Sequence, residues 1–220
     1  MQAARGTAID PETTAAPAGR SRARVWALFA TIAATAYAVD LVTKVLALDR
    51  LEGQPDVPVV GDLLTLTLVK NPGAAFSTGT QFTVALSCIA IAATVVVLVL
   101  SLRVRSRLWA VALGLLLAGV TGNLTDRLFR DPGPMRGHVI DFLMLPNWPV
   151  FNVADVCINV AAGLILVQAF RGVRLDGTRD RDHEPDDQPG DRPGDRPDFE
   201  PDVEPDDAAT ASGPTAGDQR

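Results

Sequence analysis

Two carboxylates in apolar surroundings, Asp141 and Asp155, are the residues of this chain best placed to do chemistry. Both lie in the stretch HVIDFLMLPNWPVFNVAD, from His138 to Asp155. Two carboxylates brought close together do not both ionise easily, so such a pair tends to share one proton. The ionised member can act as base toward a water while the protonated member polarises a carbonyl. The neighbours Ile140, Phe142, Val153 and Ala154 would disfavour the charged forms further by desolvation. A plainer explanation stands beside this one. Asn152 is a good helix N-cap, Asp155 three residues later completes a capping box, and Asp141 is then a solvated loop residue.

Other polar residues sit where apolar ones are expected. Asn123, Asp126 and Arg127 are spaced i, i+3 and i+4, which puts them on one face of a helix. They either orient the carboxylate pair or hold a substrate carbonyl, or else form a snorkelling Arg127 paired with Asp126 at a membrane surface. Asp40 and Lys44, at i and i+4, can pair and fasten one helix to its neighbours. Asn71 with Gly73 makes either a turn or a backbone wall beside an extended substrate. Asn159 shares a face with Asp155 and is expected to point inward, whereas His138 is expected to be incidental. Cys88 and Cys157 have no metal-type spacing and read as small buried apolar residues. No cofactor, metal or nucleic acid is expected.

The elements that must position these residues are membrane spans. Hydrophobic residues make up 47% of the 220, and they are concentrated before residue 172. The net charge is −6, yet residues 173–220 alone carry −9, leaving +3 for the rest. Four apolar stretches, 25–48, 82–102, 108–129 and 150–170, are each about the length needed to cross a bilayer. The first, with Ala36-Tyr37-Ala38, also has some look of a cleavable signal peptide, but it continues past that site and further spans follow. Residues 1–24 and 172–220 read as disordered, the latter acidic and Pro-rich. Segment 49–81 has an alternating run, Leu64–Leu68, and reads as a small outer β-cradle. Segment 130–149 reads as a Pro/Gly-punctuated loop. The expected architecture is an all-α membrane protein of four transmembrane helices over 25–171, with a small extracytoplasmic β-cradle and disordered termini.

Arginines at 20, 22 and 24, at 103, 105 and 107, and at 171 and 174 flank these spans. The positive-inside rule puts them, and both termini, in the cytoplasm. At 1.5 Å rise per residue, Asp40 then lies roughly 22 Å, and Asp126 roughly 27 Å, from the inner ends of their helices. Asp155 lies near the outer end of the fourth span and Asp141 in the outer loop. All four carboxylates come out at one level near the outer surface, which predicts a single site built from several helices.

Taken in order, Asp40-Leu-Val-Thr-Lys44, Asn71-Pro-Gly-Ala-Ala-Phe-Ser77, Gly122-Asn-Leu-Thr-Asp-Arg127, Val139-Ile-Asp-Phe142 and Phe151-Asn-Val-Ala-Asp155 resemble the motifs of lipoprotein signal peptidase, signal peptidase II. The resemblance covers about residues 25–171. It departs at Pro72, where Thr is common, and at Ala118–Gly122, which lacks a Gly-Gly start. The resemblance implies a four-helix aspartic endopeptidase of the bacterial plasma membrane, inhibited by globomycin. Its substrates would be diacylglyceryl prolipoproteins, cleaved on the amino side of the lipidated Cys. It assigns catalysis to Asp141 and Asp155, substrate-binding or supporting roles to Asn71, Gly73, Asn123, Arg127 and Asn152, and structural polar roles to Asp40, Lys44 and Asp126. A monomer surrounded by membrane lipid is expected. Two rival classes are a small proton-coupled transporter, whose titratable groups would be spread through the bilayer depth, and a structural membrane subunit. Truncation after about Arg174 is expected to leave cleavage of such a substrate intact.

Overall fold

The computed structural model of the chain describes residues 18–73 and 81–179. Most of the two terminal segments expected to be disordered, and the Ala74–Ser77 half of the small-residue motif, lie outside the described residues. The element order is α1 (Ala18–Leu51), β1 (Val57–Val60), β2 (Leu64–Asn71), α2 (Gln81–Ser101), α3 (Arg107–Phe129), β3 (Val139–Met144) and α4 (Val153–Phe170). All four helices are long and apolar enough to cross a membrane, and the protein is a multi-pass membrane protein. Helix α1 starts at Ala18, inside the segment expected to be disordered.

Helix α3 is the central one, packing against α1, α2 and α4. Its buried face is made largely of small residues, including Ala110, Ala112, Gly114, Ala118, Gly119 and Gly122. Without a hydrophobic driving force between helices in lipid, such residues let backbones approach closely. Gly122 shows the need: a Cβ there would collide with the Asp40 carboxylate. Large aliphatic side chains on the outer faces, such as Ile89, Val95, Val160 and Leu166, are exposed, as expected of surfaces that meet acyl chains. Cys88 is exposed as well, which corrects the expectation that both cysteines are buried; Cys157 is buried.

The cradle is a three-stranded antiparallel sheet in the order β1-β2-β3. Its third strand comes from the segment expected to be a loop. Val69 faces Asp141, and Asn71 faces Val139, across the β2–β3 ladder. Alternation along a strand sends successive side chains to opposite faces. Ile140 and Phe142 pack with Ala47 and Leu51 of α1, so Asp141 between them turns the other way. Asp141 is therefore a buried strand residue, 2% exposed, and not a solvated loop residue.

At the opposite end, contacts continue past residue 171. Trp109 Nε1 donates to Val173 O at 3.0 Å, and the Arg105 amide donates to Leu175 O at 2.9 Å. Leu175 packs on the apolar cluster of Val25, Phe29, Val97 and Leu113. Truncation after Arg174 is therefore expected to lower stability by on the order of 1–3 kcal/mol through loss of Leu175 and its backbone bond. Truncation after Arg179 should leave the thermal midpoint in detergent unchanged.

Candidate active site

The site is built outward from the start of α4. Asn152 is its N-cap, with φ −133° and ψ −178°. Its side-chain oxygen accepts from the Asp155 amide at 3.0 Å, and its own amide donates to Asp155 Oδ2 at 3.1 Å. The capping box predicted as the plainer explanation is thus present. The side-chain nitrogen of Asn152 is left with two donors to place. It gives one to Asp141 Oδ1 at 2.6 Å and the other to Asn123 Oδ1 at 3.1 Å. One fully buried residue therefore ties Asp141 to Asp155 and joins both to α3. Capping and positioning are done by the same side chain.

Asn123 continues the chain of bonds. Its nitrogen donates to Asp155 Oδ1 at 2.8 Å, and its oxygen also accepts from Lys44 Nζ at 2.9 Å. Lysine offers only donors, so its presence forces the Asn123 oxygen toward α1 and the nitrogen toward Asp155. Lys44 is completely buried and lies 2.8 Å from Asp40 Oδ2 and 2.9 Å from Asp126 Oδ2. Asp40 Oδ1 in turn accepts from the Ala154 amide at 2.8 Å, satisfying a free N–H at the first turn of α4. Asp126 Oδ2 accepts from the Ile140 amide at 3.3 Å, and its Oδ1 pairs with Arg130. The four carboxylates expected at one level, Asp40, Asp126, Asp141 and Asp155, belong to one connected network.

On the cradle side, Asn71 Nδ2 donates to Asp141 Oδ2 at 2.8 Å. Asn71 Oδ1 accepts from the Gly73 amide at 2.8 Å, an Asx turn. Gly73 has φ +109°, and a Cβ there would press on Leu86 of α2. Among the described residues this is a turn packed on α2. Burial pushes the Asp141 carboxyl up to about 6, and the charge of Asp155 acts in the same direction. The Asn71 and Asn152 donors and the charge of Lys44 oppose the rise.

Arg127 does not pair with Asp126, which corrects one of the two alternatives; Arg130 holds that place. Arg127 Nη1 is buried with no hydrogen-bond partner among the described residues, while the charges of Asp141, Asp126 and Asp155 all act on it. Asn159 is exposed and donates to Asp155 O at 2.8 Å, so it does not point inward as expected. His138 lines a cavity of about 300 Å³ with Leu48, Lys70, Phe129, Arg130, Asp131 and Ile140, and this cavity contains neither Asp141 nor Asp155. Among the described residues no group of three His, Cys, Asp or Glu is arranged to hold a metal ion. Two residues with a bearing on the site went unnoticed in the sequence. They are Thr83 and Ser87 of α2, buried hydroxyls one helical turn apart that bond the segments carrying Asn71 and leading into β3.

A family model for signal peptidase (SPase) II matches residues 32–171. The chain is 48% identical over 168 residues to a lipoprotein signal peptidase of Mycobacterium avium (strain 104), covering 76% of this chain and 91% of that one. It is 44% identical to a lipoprotein signal peptidase of Streptomyces griseus, covering 75% and 84%. Among solved structures, a bacterial membrane enzyme determined at 1.9 Å by the in meso method superposes with a TM-score of 0.58 at 24% identity, covering 70% of this chain and 95% of that one.

The network makes a stability prediction. Lys44→Met leaves Asp40 and Asp126 buried without their shared cation, and breaking such a pair costs roughly 3–5 kcal/mol. Chemical or thermal unfolding in detergent should show a loss of that size, whereas Lys70→Met, which removes an exposed pair with Glu52, should change little.

Proposed function

This chain belongs to the signal peptidase II family, and on that premise we propose that Asp141 and Asp155 are the pair with which it hydrolyses its substrates. The protein is a peptidase that removes signal peptides from prolipoproteins. In our reading the substrate carries a diacylglyceryl group on its Cys and is cut on the amino side of that residue. The observation that carries the assignment is the joining of Asp141 and Asp155 through Asn152, which donates its side-chain amide to the one and its backbone N–H to the other, while a further side-chain amide reaches each carboxylate, from Asn71 and Asn123 respectively.

Asp141, whose carboxyl is pushed up to about 6, holds the proton of the pair and polarises the scissile carbonyl. Asp155 takes a proton from the attacking water. The resulting oxyanion is stabilised by the donated proton, and by Arg127, whose unpartnered Nη1 is free to turn to a substrate carbonyl. Collapse of the tetrahedral intermediate returns a proton to the leaving amine. Asn71, Asn123 and Asn152 keep both carboxylates in register with the water, and Gly73 gives the Asn71 turn its backbone conformation.

The arginines at 22 and 24, at 103, 105 and 107, and at 171 and 174 mark one end of the bundle as cytoplasmic. The sheet and the carboxylate pair then face the outer surface of the bacterial plasma membrane, with both termini inside. The scissile bond of a signal peptide lies at that level. A lipidated substrate enters sideways between helices, and the enzyme works as a monomer in contact with lipid. The proton-coupled transporter is not supported: α2 carries no ionisable side chain other than the Cys88 thiol, and α4 has none in its inner half. A relay across the bilayer would need such groups at several depths.

Membranes carrying the full chain, incubated with a diacylglyceryl prolipoprotein, should cleave it. Asp141→Asn and Asp155→Asn should each slow turnover by about 10²–10⁴-fold at unchanged expression; normal cleavage by either variant would refute the pair. Because loss of Asp141's proton removes the acid, kcat/KM should fall as pH rises through about 6. A kcat/KM that climbs through that range would make Asp141 the base instead.

A further inference from the structure

Helix α2 contributes no carboxylate and no motif residue to the network, yet its outer half holds two fully buried hydroxyls. Thr83 is 1% exposed and Ser87 is 0%. The Thr83 hydroxyl donates to Pro72 O at 2.5 Å. Ser87 Oγ lies 2.9 Å from Thr83 O and 2.9 Å from Met135 O. The first bond fixes the Asn71-Pro72-Gly73 turn, and the second fixes the loop that leads into β3. Both segments end at Asp141: Asn71 through its side-chain bond, and the loop through the strand that carries the aspartate.

The Pro72 carbonyl needs this partner. It sits in a tight turn in which Asn71 Oδ1 already accepts the Gly73 amide, on the half-buried residue Pro72, where a carbonyl left without a donor is destabilising. Thr83 is within bonding reach from the first turn of α2, and Leu86, one turn further along that helix, packs against Gly73. The turn is thus clamped to α2 by one hydrogen bond and one apolar contact. Asn71 projects from the clamped turn toward Asp141 with its amide nitrogen foremost, because its oxygen is engaged.

We propose that Thr83 is a positioning residue for peptide hydrolysis, acting through Pro72 to set the distance between Asn71 Nδ2 and the Asp141 carboxyl. The inference rests on the reading of Asp141 as one of the catalytic pair. Loss of the clamp lets Asn71 retreat and weakens its bond to Asp141. That bond favours the ionised carboxyl, so its loss moves Asp141's ionisation to higher pH.

The test uses the full chain in detergent with a synthetic diacylglyceryl prolipopeptide. The variants are Thr83→Val, Thr83→Ser, Asn71→Ala and the double variant Thr83→Val with Asn71→Ala. Thr83→Val keeps the shape of the side chain and removes the donor. It should lower kcat about tenfold with KM changed less than about twofold, and Thr83→Ser should recover most of the loss. The descending limb of its kcat/KM profile should move to higher pH. In the Asn71→Ala background the same change should cost less than about twofold, since residues acting through one another do not add. An equal cost in both backgrounds, or slowed turnover with the pH limb unmoved, would overturn the proposal, as would an unchanged kcat. Asp141→Asn run alongside separates the two claims: full activity there removes the underlying reading, whatever Thr83 does.

Discussion

The structure depends on a single ammonium taken completely out of water. Lys44 has no solvent to turn to, and every group around its nitrogen is an oxygen: Asp40, Asp126 and Asn123. A buried charge of this kind is tolerable only when paired and fully hydrogen-bonded. The pairing has structural consequences in several directions. Asp40 reaches on to the first turn of α4, and Asp126 reaches on to the backbone of β3. Three helices and the strand carrying Asp141 are therefore fastened around one charge. This also explains why glycine stands at position 122, where a side chain would displace the Asp40 carboxylate from its cation.

Directionality comes from the amides attached to that charge. A lysine supplies attraction from any angle, but an asparagine has one end that accepts and one that donates. With its oxygen claimed by Lys44 and Asn152, Asn123 has only its nitrogen to offer Asp155. With its oxygen claimed by the Asp155 amide, Asn152 has only its nitrogen to offer Asp141. Asn71 follows the same rule through Gly73. In each case the oxygen is engaged elsewhere, and the side-chain nitrogen donates to one of the two carboxylates. The proposed catalytic pair is thus held by donors whose orientation is decided elsewhere.

Much of this was legible in the residues. Four apolar stretches of bilayer length give the four helices, and helical rise places Asp40, Asp126 and Asp155 at one depth without any contact being known. The capping box at Asn152 and the pairing of Asp40 with Lys44 follow from spacing alone. Other features were less visible. Strand β3 is a six-residue apolar run between Pro/Gly clusters, a pattern that fits a strand. The density of turn residues on both sides masks it, so that Asp141 reads as loop from sequence alone. Arg130, at i+4, is the arginine that helical spacing brings to Asp126, whereas Arg127, at i+1, faces away from it; the burial of Arg127 within range of the charges of Asp141 and Asp155 depends on tertiary packing that local sequence does not encode. Thr83 and Ser87 look like ordinary hydroxyls in an apolar helix, where such side chains commonly bond the preceding turn. Their long-range bonds appear only once the cradle is folded against α2.

The charge balance of the network bears on the chemistry. Its acids are Asp40, Asp126, Asp141 and Asp155, and its cations are Lys44, Arg127 and Arg130. With every carboxylate ionised the cluster carries one net negative charge in a largely buried place. One proton makes it neutral. Asp40 and Asp126 are each in direct contact with a cation, whereas Asp141 is touched by neutral amides and feels Lys44 and Arg127 only at a distance, with burial and the charge of Asp155 acting the other way. The proton that balances the cluster therefore has its most favourable place on Asp141. A singly protonated pair is the state an aspartic peptidase needs in order to begin, with an acid ready for the carbonyl and a base ready for the water. On the proposed assignment, neutralising the buried network would supply that state before any substrate binds.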